Sequence, residues 1–221
     1  MSWQEWQNAW DRIILPGLGS TFYMVLIATL LSSVIGLLLA IILMVTGKNG
    51  LHPNRLVYGI LDFIVNILRS FPFIILAVAI IPLSRILVGT SIGEVAALVP
   101  LTLVGSPLMA RLFEGSFATV DKDLIAAIRS FGASDLQIIL KIIIPEALPS
   151  LVLNVTLAMI SILGCTAMAG AVGAGGLGAV AITYGYQDFN DTIMYGTVII
   201  LVVIVQIIQF IGNAVHKALV R

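Results

Sequence analysis

The sequence predicts an all-α integral membrane protein with five transmembrane helices, and three observations predict it. Of 221 residues, 60% are hydrophobic and 10% charged, far below the roughly 25% charge of a soluble domain. Apolar runs long enough to cross a bilayer, which takes about 20 residues, recur along the chain. Lysine and arginine gather in alternate connections, the pattern that sets membrane orientation. Formal net charge is zero, so nothing points to nucleic acid. The single cysteine, Cys165, excludes an internal disulfide, and no zinc-ligand spacing is present.

The N-terminal residues come first. Trp3, Trp6 and Trp10 fall on one helical face, which suits a helix at the membrane–water boundary. Residues 1–16 are therefore read as an interfacial anchor. They do not read as a signal peptide, because a basic leader is missing and Glu5 and Asp11 precede the first apolar run. A transmembrane domain over 17–216 follows, with spans at about 18–45, 61–83, 92–113, 148–168 and 192–215. The first span is the cleanest. The second is polar at its start, and the third is interrupted by Pro100, Gly105 and Pro107. Residues 217–221 form a tail. Neither an internal repeat nor a linker marks a second domain.

The connections then set the orientation. Lys48 and Arg55 lie between the first and second spans; Lys122, Arg129 and Lys141, with Arg111 at the edge, lie between the third and fourth; Lys217 and Arg221 lie in the tail. The opposite side holds Arg12 and Arg85, with Asp188 and Asp191 in its last loop. The C-terminus and the third-to-fourth connection are thus expected on the cytoplasmic side and the N-terminus outside.

That connection, residues 119–146, carries charge throughout. It reads as two short amphipathic helices. Leu124, Ala127, Ile128 and Phe131 recur at helical spacing. Gly132 suits the left-handed position just past a helix end. Ser134 and Gln137 form a capping-box pattern opening a second helix, with an apolar stripe of Leu136, Ile139, Leu140 and Ile143, and Pro145 is expected to stop it. Helices this short are unstable alone in water, so the pair must dock on its own bundle or on another protein.

Polar residues inside the spans offer further candidates. Asp62, Asn66 and Arg69 share a face of the second span, placed either to pack and snorkel or to line a path. Asp62 and Arg69 are two turns apart, about 10 Å along the axis, too far for a direct pair unless their side chains reach. Arg111 and Glu114, three apart, are expected to pair. Gln206, Gln209 and Asn213 recur along the fifth span as polar glue between helices. Gly173, Gly175 and Gly178 spell G-x-G-x-x-G, but an apolar span precedes them where a dinucleotide site needs a strand. The segment Ala167–Ala181 is nearly all small residues, which permits close backbone approach and a helix break. Met168, with Gly170 and Gly173 beside it, is a candidate gate: two facing copies of Met168 could plug a narrow path. Its plainer role is to fill a gap between helices.

Several absences narrow the function. The phosphate loop G-x-x-x-x-G-K-[ST] is missing, so the chain does not hold ATP by that device. His52 and His216 are isolated, leaving no base for a metalloprotease or triad arrangement. No pair of carboxylates sits mid-membrane, which argues against a proton- or sodium-driven carrier. No catalytic or metal-binding residue is assigned. A stand-alone channel or carrier would transport without ATP, and a membrane-embedded enzyme would rest on Cys165, which reads as structural.

At this point the residues resemble a known family. The pattern E-A-A-x-x-x-G-x9-I-x-L-P marks the cytoplasmic loop of permease subunits of bacterial ATP-binding cassette importers. Ala127, Gly132, Ile142 and Pro145 match it, while Ala126 replaces the glutamate, Ile128 the second alanine and Ile144 the leucine. The segments IVNILRSFPFIILAVAIIPLSRILVGTSIG, AMAGAVGAGGLG and GYQDFND are similar to the methionine-import branch of that family. The resemblance implies a multi-pass permease of the bacterial inner membrane that imports methionine, L- or D-, or else another small amino acid or related compound. Two copies would form the pore. Two cytoplasmic ATPase subunits would bind ATP and magnesium, which this chain does not, and an external binding (lipo)protein would deliver the substrate. It further implies that the helix near Asp121–Phe131 is the coupling helix seated on the ATPase, through Asp121, Lys122, Leu124, Ala126, Ala127, Ile128, Phe131 and Gly132, with Ile142 and Pro145 completing the motif.

Overall fold

The structure is a computed structural model describing residues 3–220, with side chains from Trp6 onward. Expectations placed on the side chains of Trp3 and Glu5, and on Arg221, lie outside the described residues. The described residues are helical apart from short connections. Helix α1 (Trp3–Ala9) passes through a π-turn (Trp10–Ile14) into α2 (Leu15–Thr46). Then come α3 (Arg55–Ser70), α4 (Phe73–Ala79), α5 (Ile81–Val88) and α6 (Glu94–Ala118). They are followed by α7 (Lys122–Ser130), α8 (Asp135–Ile138), a second π-turn (Ile139–Ile143) and α9 (Ile144–Gly170). The chain ends with α10 (Gly176–Val180), a π-turn (Ala181–Gln187) and α11 (Asp191–Leu219). Four helices are long and apolar enough to cross a membrane, five if the bent pair α3–α4 counts as one span.

Helix α6 is the central post. It packs against α2 and α9 and also meets α3, α4 and α5. One apolar cluster joins Met109, Phe113 and Phe117 of α6 to Ile138, Ile143 and Ala158. A second joins Met24 and Ala28 of α2 to Phe73, Leu101 and Ile162. A third joins Ile14, Val25, Leu163, Leu177 and Ile204. The outward faces of α2 and α11 keep large apolar side chains exposed, Leu30, Leu38, Ile199 and Phe210 among them, as lipid-facing helices do.

Four expectations change. First, the tryptophan segment is not set apart: one helix runs unbroken from Trp6 to Thr46, 41 residues. Trp6 lies against Gly196 of α11 and the third apolar cluster, so it is packed on protein.

Second, Pro145 does not stop the loop's second helix. The chain is helical without interruption from Asp135 to Gly170. A π-turn accompanies both continuities. The Leu15 N–H bonds the Trp10 carbonyl, and the Ile144 N–H bonds the Ile139 carbonyl, each five residues back. Each wide turn sits just before a proline, Pro16 or Pro145, which has no N–H to give and whose ring crowds the preceding carbonyls. The stripe drawn for this stretch also shifts: Ile138, Ile139 and Ile143 are buried, while Leu136 and Leu140 are exposed.

Third, the second span is not one helix. α3 and α4 are bent by 101°, because Pro72 forces Phe71 into an extended conformation (φ −78°, ψ 130°). Fourth, α6 runs straight through Pro100 and Pro107 without a break. Both prolines are buried in α6, and the surrounding helices hold the post together despite the missing hydrogen bonds.

Candidate functional site

The candidate surface is the connection between α6 and α9. Asp121 caps α7, its carboxylate accepting from the Asp123 N–H at 2.8 Å, and this satisfies one of the helix's free amide donors. Gly132 (φ 85°) ends the turn in the left-handed region, where a side chain would be strained. Beyond it the capping box forms as the letters suggest. The Ser134 N–H donates to Gln137 Oε1 at 2.9 Å, and the Gln137 N–H to Ser134 Oγ at 3.4 Å. Gly132 therefore separates a nine-residue helix from a 36-residue one, the latter about 54 Å long.

A polar clasp ties α7 to its surroundings. Arg129 donates to Asp135 Oδ1 at 3.1 Å and to the Leu51 carbonyl at 3.3 Å. His52 pairs with the other oxygen of Asp135. The α2–α3 connection is thus fastened to the start of α8. This clasp was invisible in the sequence, since Leu51 and Asp135 lie more than 80 residues apart and no spacing rule joins them.

The outer face of α7 is apolar and open. Phe131 is 89% exposed and Leu124 37%. Leu136, at 65%, extends the ledge across Gly132. Ala126, Ala127, Asp121 and Lys122 are also exposed, whereas Ile125 and Ile128 are half-buried against the first cluster. The loop's residues thus divide: Asp121 through Gly132 gather on α7 and its ends, while Ile142 and Pro145 belong to the helix that follows.

A second polar assembly lies between α3 and α6. Arg111 pairs with Asp62, donates to Glu114 Oε2 at 2.8 Å and to Asn66 Oδ1 at 3.1 Å. Tyr58 Oη donates to Glu114 Oε1 at 3.2 Å, and Asn66 Nδ2 donates to Asp62 Oδ2 at 3.1 Å. The Arg111–Glu114 spacing predicts its own pair; Asp62, two turns from Arg69 on α3, finds its partner on another helix. Arg69 is exposed. Gln206, Gln209 and Asn213 are exposed on α11 and make no hydrogen bond to other side chains among the described residues, so they do not glue helices within one copy.

At the far end of α9, roughly 35 Å from Pro145, stands Met168, 52% exposed. It continues an exposed row of Leu157, Ser161 and Gly164 along one side of the helix. This row is small and polar in part, unlike the lipid-facing sides of α2 and α11. Gly170 and Gly173 are packing positions. A Cβ at Gly170 would lie 2.3 Å from the Ala179 backbone nitrogen, and one at Gly178 would lie 2.3 Å from the Ala167 carbonyl oxygen. Helices α9 and α10 cross there backbone to backbone. Gly173, Gly175 and Gly176 all have positive φ, and Gly173 accepts from the Gly93 N–H at 2.9 Å. The letters G-x-G-x-x-G serve this crossing, preceded by a helix rather than a strand. Among the described residues no group of three His, Cys, Asp or Glu is placed to hold a metal.

Comparison with known proteins places this architecture. The family described as binding-protein-dependent transport system inner membrane component matches residues 32–221. A probable D-methionine transport system permease protein of Vibrio cholerae is 45% identical over 213 residues, covering 96% of this chain and 95% of that one. The methionine import system permease protein of Bacillus subtilis is 41% identical over 174 residues, covering 79% and 78%. A solved structure of the MetNI methionine ABC transporter in inward-facing conformations superimposes with TM-score 0.94 at 41% identity, covering all of both chains. An amino acid ABC transporter solved with histidines shares the fold alone, with TM-score 0.73 at 16% identity.

Proposed function

This chain belongs to the family of binding-protein-dependent transport system inner membrane components, and from that premise we propose that it is the permease subunit of an ATP-driven methionine importer. The observation that carries the reading is the full-length likeness, in sequence and in backbone, to proteins named for methionine transport. The chain is a multi-pass protein of the cytoplasmic membrane. It is not itself the catalyst; ATP hydrolysis falls to a partner.

In the proposed assembly two copies enclose the path and two ATPase subunits sit below α7. An external binding protein delivers methionine. The bent pair α3–α4 counts as one span, which makes five, with the N-terminus outside and the C-terminus cytoplasmic. The lysines and arginines around α7 support that orientation.

The mechanism follows from the helix that Pro145 fails to stop. Leu124, Phe131 and Leu136 seat α7 and the start of α8 on the ATPase. When the ATPase pair closes on ATP, the two α7 helices are drawn together. Gly132 turns that movement into the helix Asp135–Gly170, which carries it across the membrane as one rigid lever. Its far end bears Met168 and the glycine crossing. Displacing the two levers opens the path between copies to one side and closes it to the other. The row Leu157, Ser161, Gly164 and Met168 faces the path, where a weakly polar lining suits a zwitterion with an apolar side chain.

The test is uptake of radiolabelled methionine by proteoliposomes holding permease, ATPase and binding protein. ATP-dependent accumulation that unlabelled methionine competes away is the expected result. Uptake by the permease alone, without ATP, would overturn the reading.

A further inference from the structure

A cavity of about 1000 Å³ opens between the α2–α3 connection, the end of α6 and the inner face of α7. That size is at the upper end of small-molecule sites. Its back wall is apolar, with Leu43, Met44, Phe117 and Ile125. Lys48, Arg55, Lys122 and Arg129 also line it. Arg129 is held by Asp135, whereas Lys48, Arg55 and Lys122 make no ion pair among the described residues. The carboxylate in the lining, Glu114, is already engaged by Arg111 and Tyr58. The cavity therefore carries uncompensated positive charge over a hydrocarbon floor.

The faces of α7 are segregated accordingly. Lys122, Ile125, Ala126 and Arg129 recur at helical spacing toward the cavity. Leu124, Ala127 and Phe131 fall about 180° away, at about 100° per residue. The surface offered to the ATPase and the surface facing the cavity are opposite sides of one helix, so both can be occupied together.

We propose that this cavity binds an anionic phospholipid of the inner leaflet, its phosphate held by Lys48, Arg55 and Lys122 and its acyl chains laid on the apolar wall. Cations clustered beside a membrane span recognise such headgroups, and arginine grips phosphate through paired N–H donors. A free phosphate or soluble anion would satisfy the cations and leave the wall unfilled. A zwitterionic lipid would fill the wall and leave the cations unbalanced. The bound lipid would brace α7 against the α2–α3 connection from the side opposite the ATPase.

The inner-leaflet placement rests on the orientation proposed above. The binding test is made in detergent, however, and reads the site whichever way the chain faces. The permease–ATPase complex is stripped of lipid and then given dioleoylphosphatidylglycerol, dioleoylphosphatidylcholine or inorganic phosphate. Native mass spectrometry and thermal unfolding are followed. Phosphatidylglycerol is expected to be retained at one per permease copy and to raise Tm, and the other two to do neither. The variant K48Q/R55Q should bind about thirtyfold more weakly and K122Q about fivefold, at roughly one surface-charge increment each. K48R/R55K keeps both charges and one guanidinium, so it should bind within about a fewfold of the parent, which assigns the loss in the glutamine variants to charge. Equal stabilisation by phosphatidylcholine or by phosphate would overturn the proposal, as would undiminished phosphatidylglycerol binding by K122Q and K48Q/R55Q.

Discussion

Asp62 of α3 is paired with Arg111 of α6, and the same guanidinium holds Glu114 one turn further along α6. Two carboxylates from two helices thus share one cation. Its side chain is 18% exposed, so the pair is sheltered without being fully desolvated. The bond fastens α3, otherwise buried only at Val65, to the central post.

Replacing Arg111 by leucine should therefore destabilise the permease by about 2 kcal/mol, because it strands two partly buried carboxylates. Replacing Asp62 by asparagine should cost about half as much, since the amide can still accept. Thermal unfolding of the assembled complex in detergent checks this, with Tm falling by roughly 2–4 °C per kcal/mol. Equal Tm values for the two variants would contradict the shared-cation reading.

Phe131→Glu places a charge on the open ledge without touching the core. Methionine uptake and permease-dependent ATP hydrolysis should both fall at least about tenfold, as expected when an interface anchor is lost. Membrane content of the permease, read by immunoblot, should not change.

Gly132→Val forces a β-branched residue into a left-handed turn, at a cost of about 1–2 kcal/mol. The hinge between α7 and the long lever should distort. The expected signature is ATP hydrolysis that persists while uptake is lost, measured on the same proteoliposomes.

Gly170→Val should abolish folding of the α9–α10 crossing, because the added Cβ meets backbone that cannot move aside. Gly164→Ala, where a Cβ meets nothing within the chain, should leave the permease folded. If the exposed row of α9 faces the path, Met168→Trp should lower uptake severalfold at unchanged protein level. Size-exclusion profiles and uptake rates separate the two kinds of effect.

Cysteines placed at Lys122 and Arg129 test the orientation. A membrane-impermeant maleimide should label them in inside-out vesicles and not in intact cells. Labelling from outside would remove α7 from the reach of any cytoplasmic ATPase.

What the linear order of residues determined here is whatever depends on neighbours within a turn or two. The Ser134 cap, the left-handed Gly132, the Arg111–Glu114 pair and the apolar spans were all legible, because helix periodicity and capping are local. The family signature around Gly132 was legible for the same reason. Tertiary packing decided the rest. Pro100 and Pro107 read as breaks, yet α6 continues through both, packed among α2, α9 and the shorter helices. Pro145 reads as a stop, yet the helix runs on through it behind a π-turn that no letter announces. The Asp62–Arg111 pair, the Leu51–Arg129–Asp135–His52 clasp and the cationic cavity behind α7 join residues tens of positions apart. Their partners exist only once the helices have packed, since a side chain chooses among neighbours in space and not along the chain.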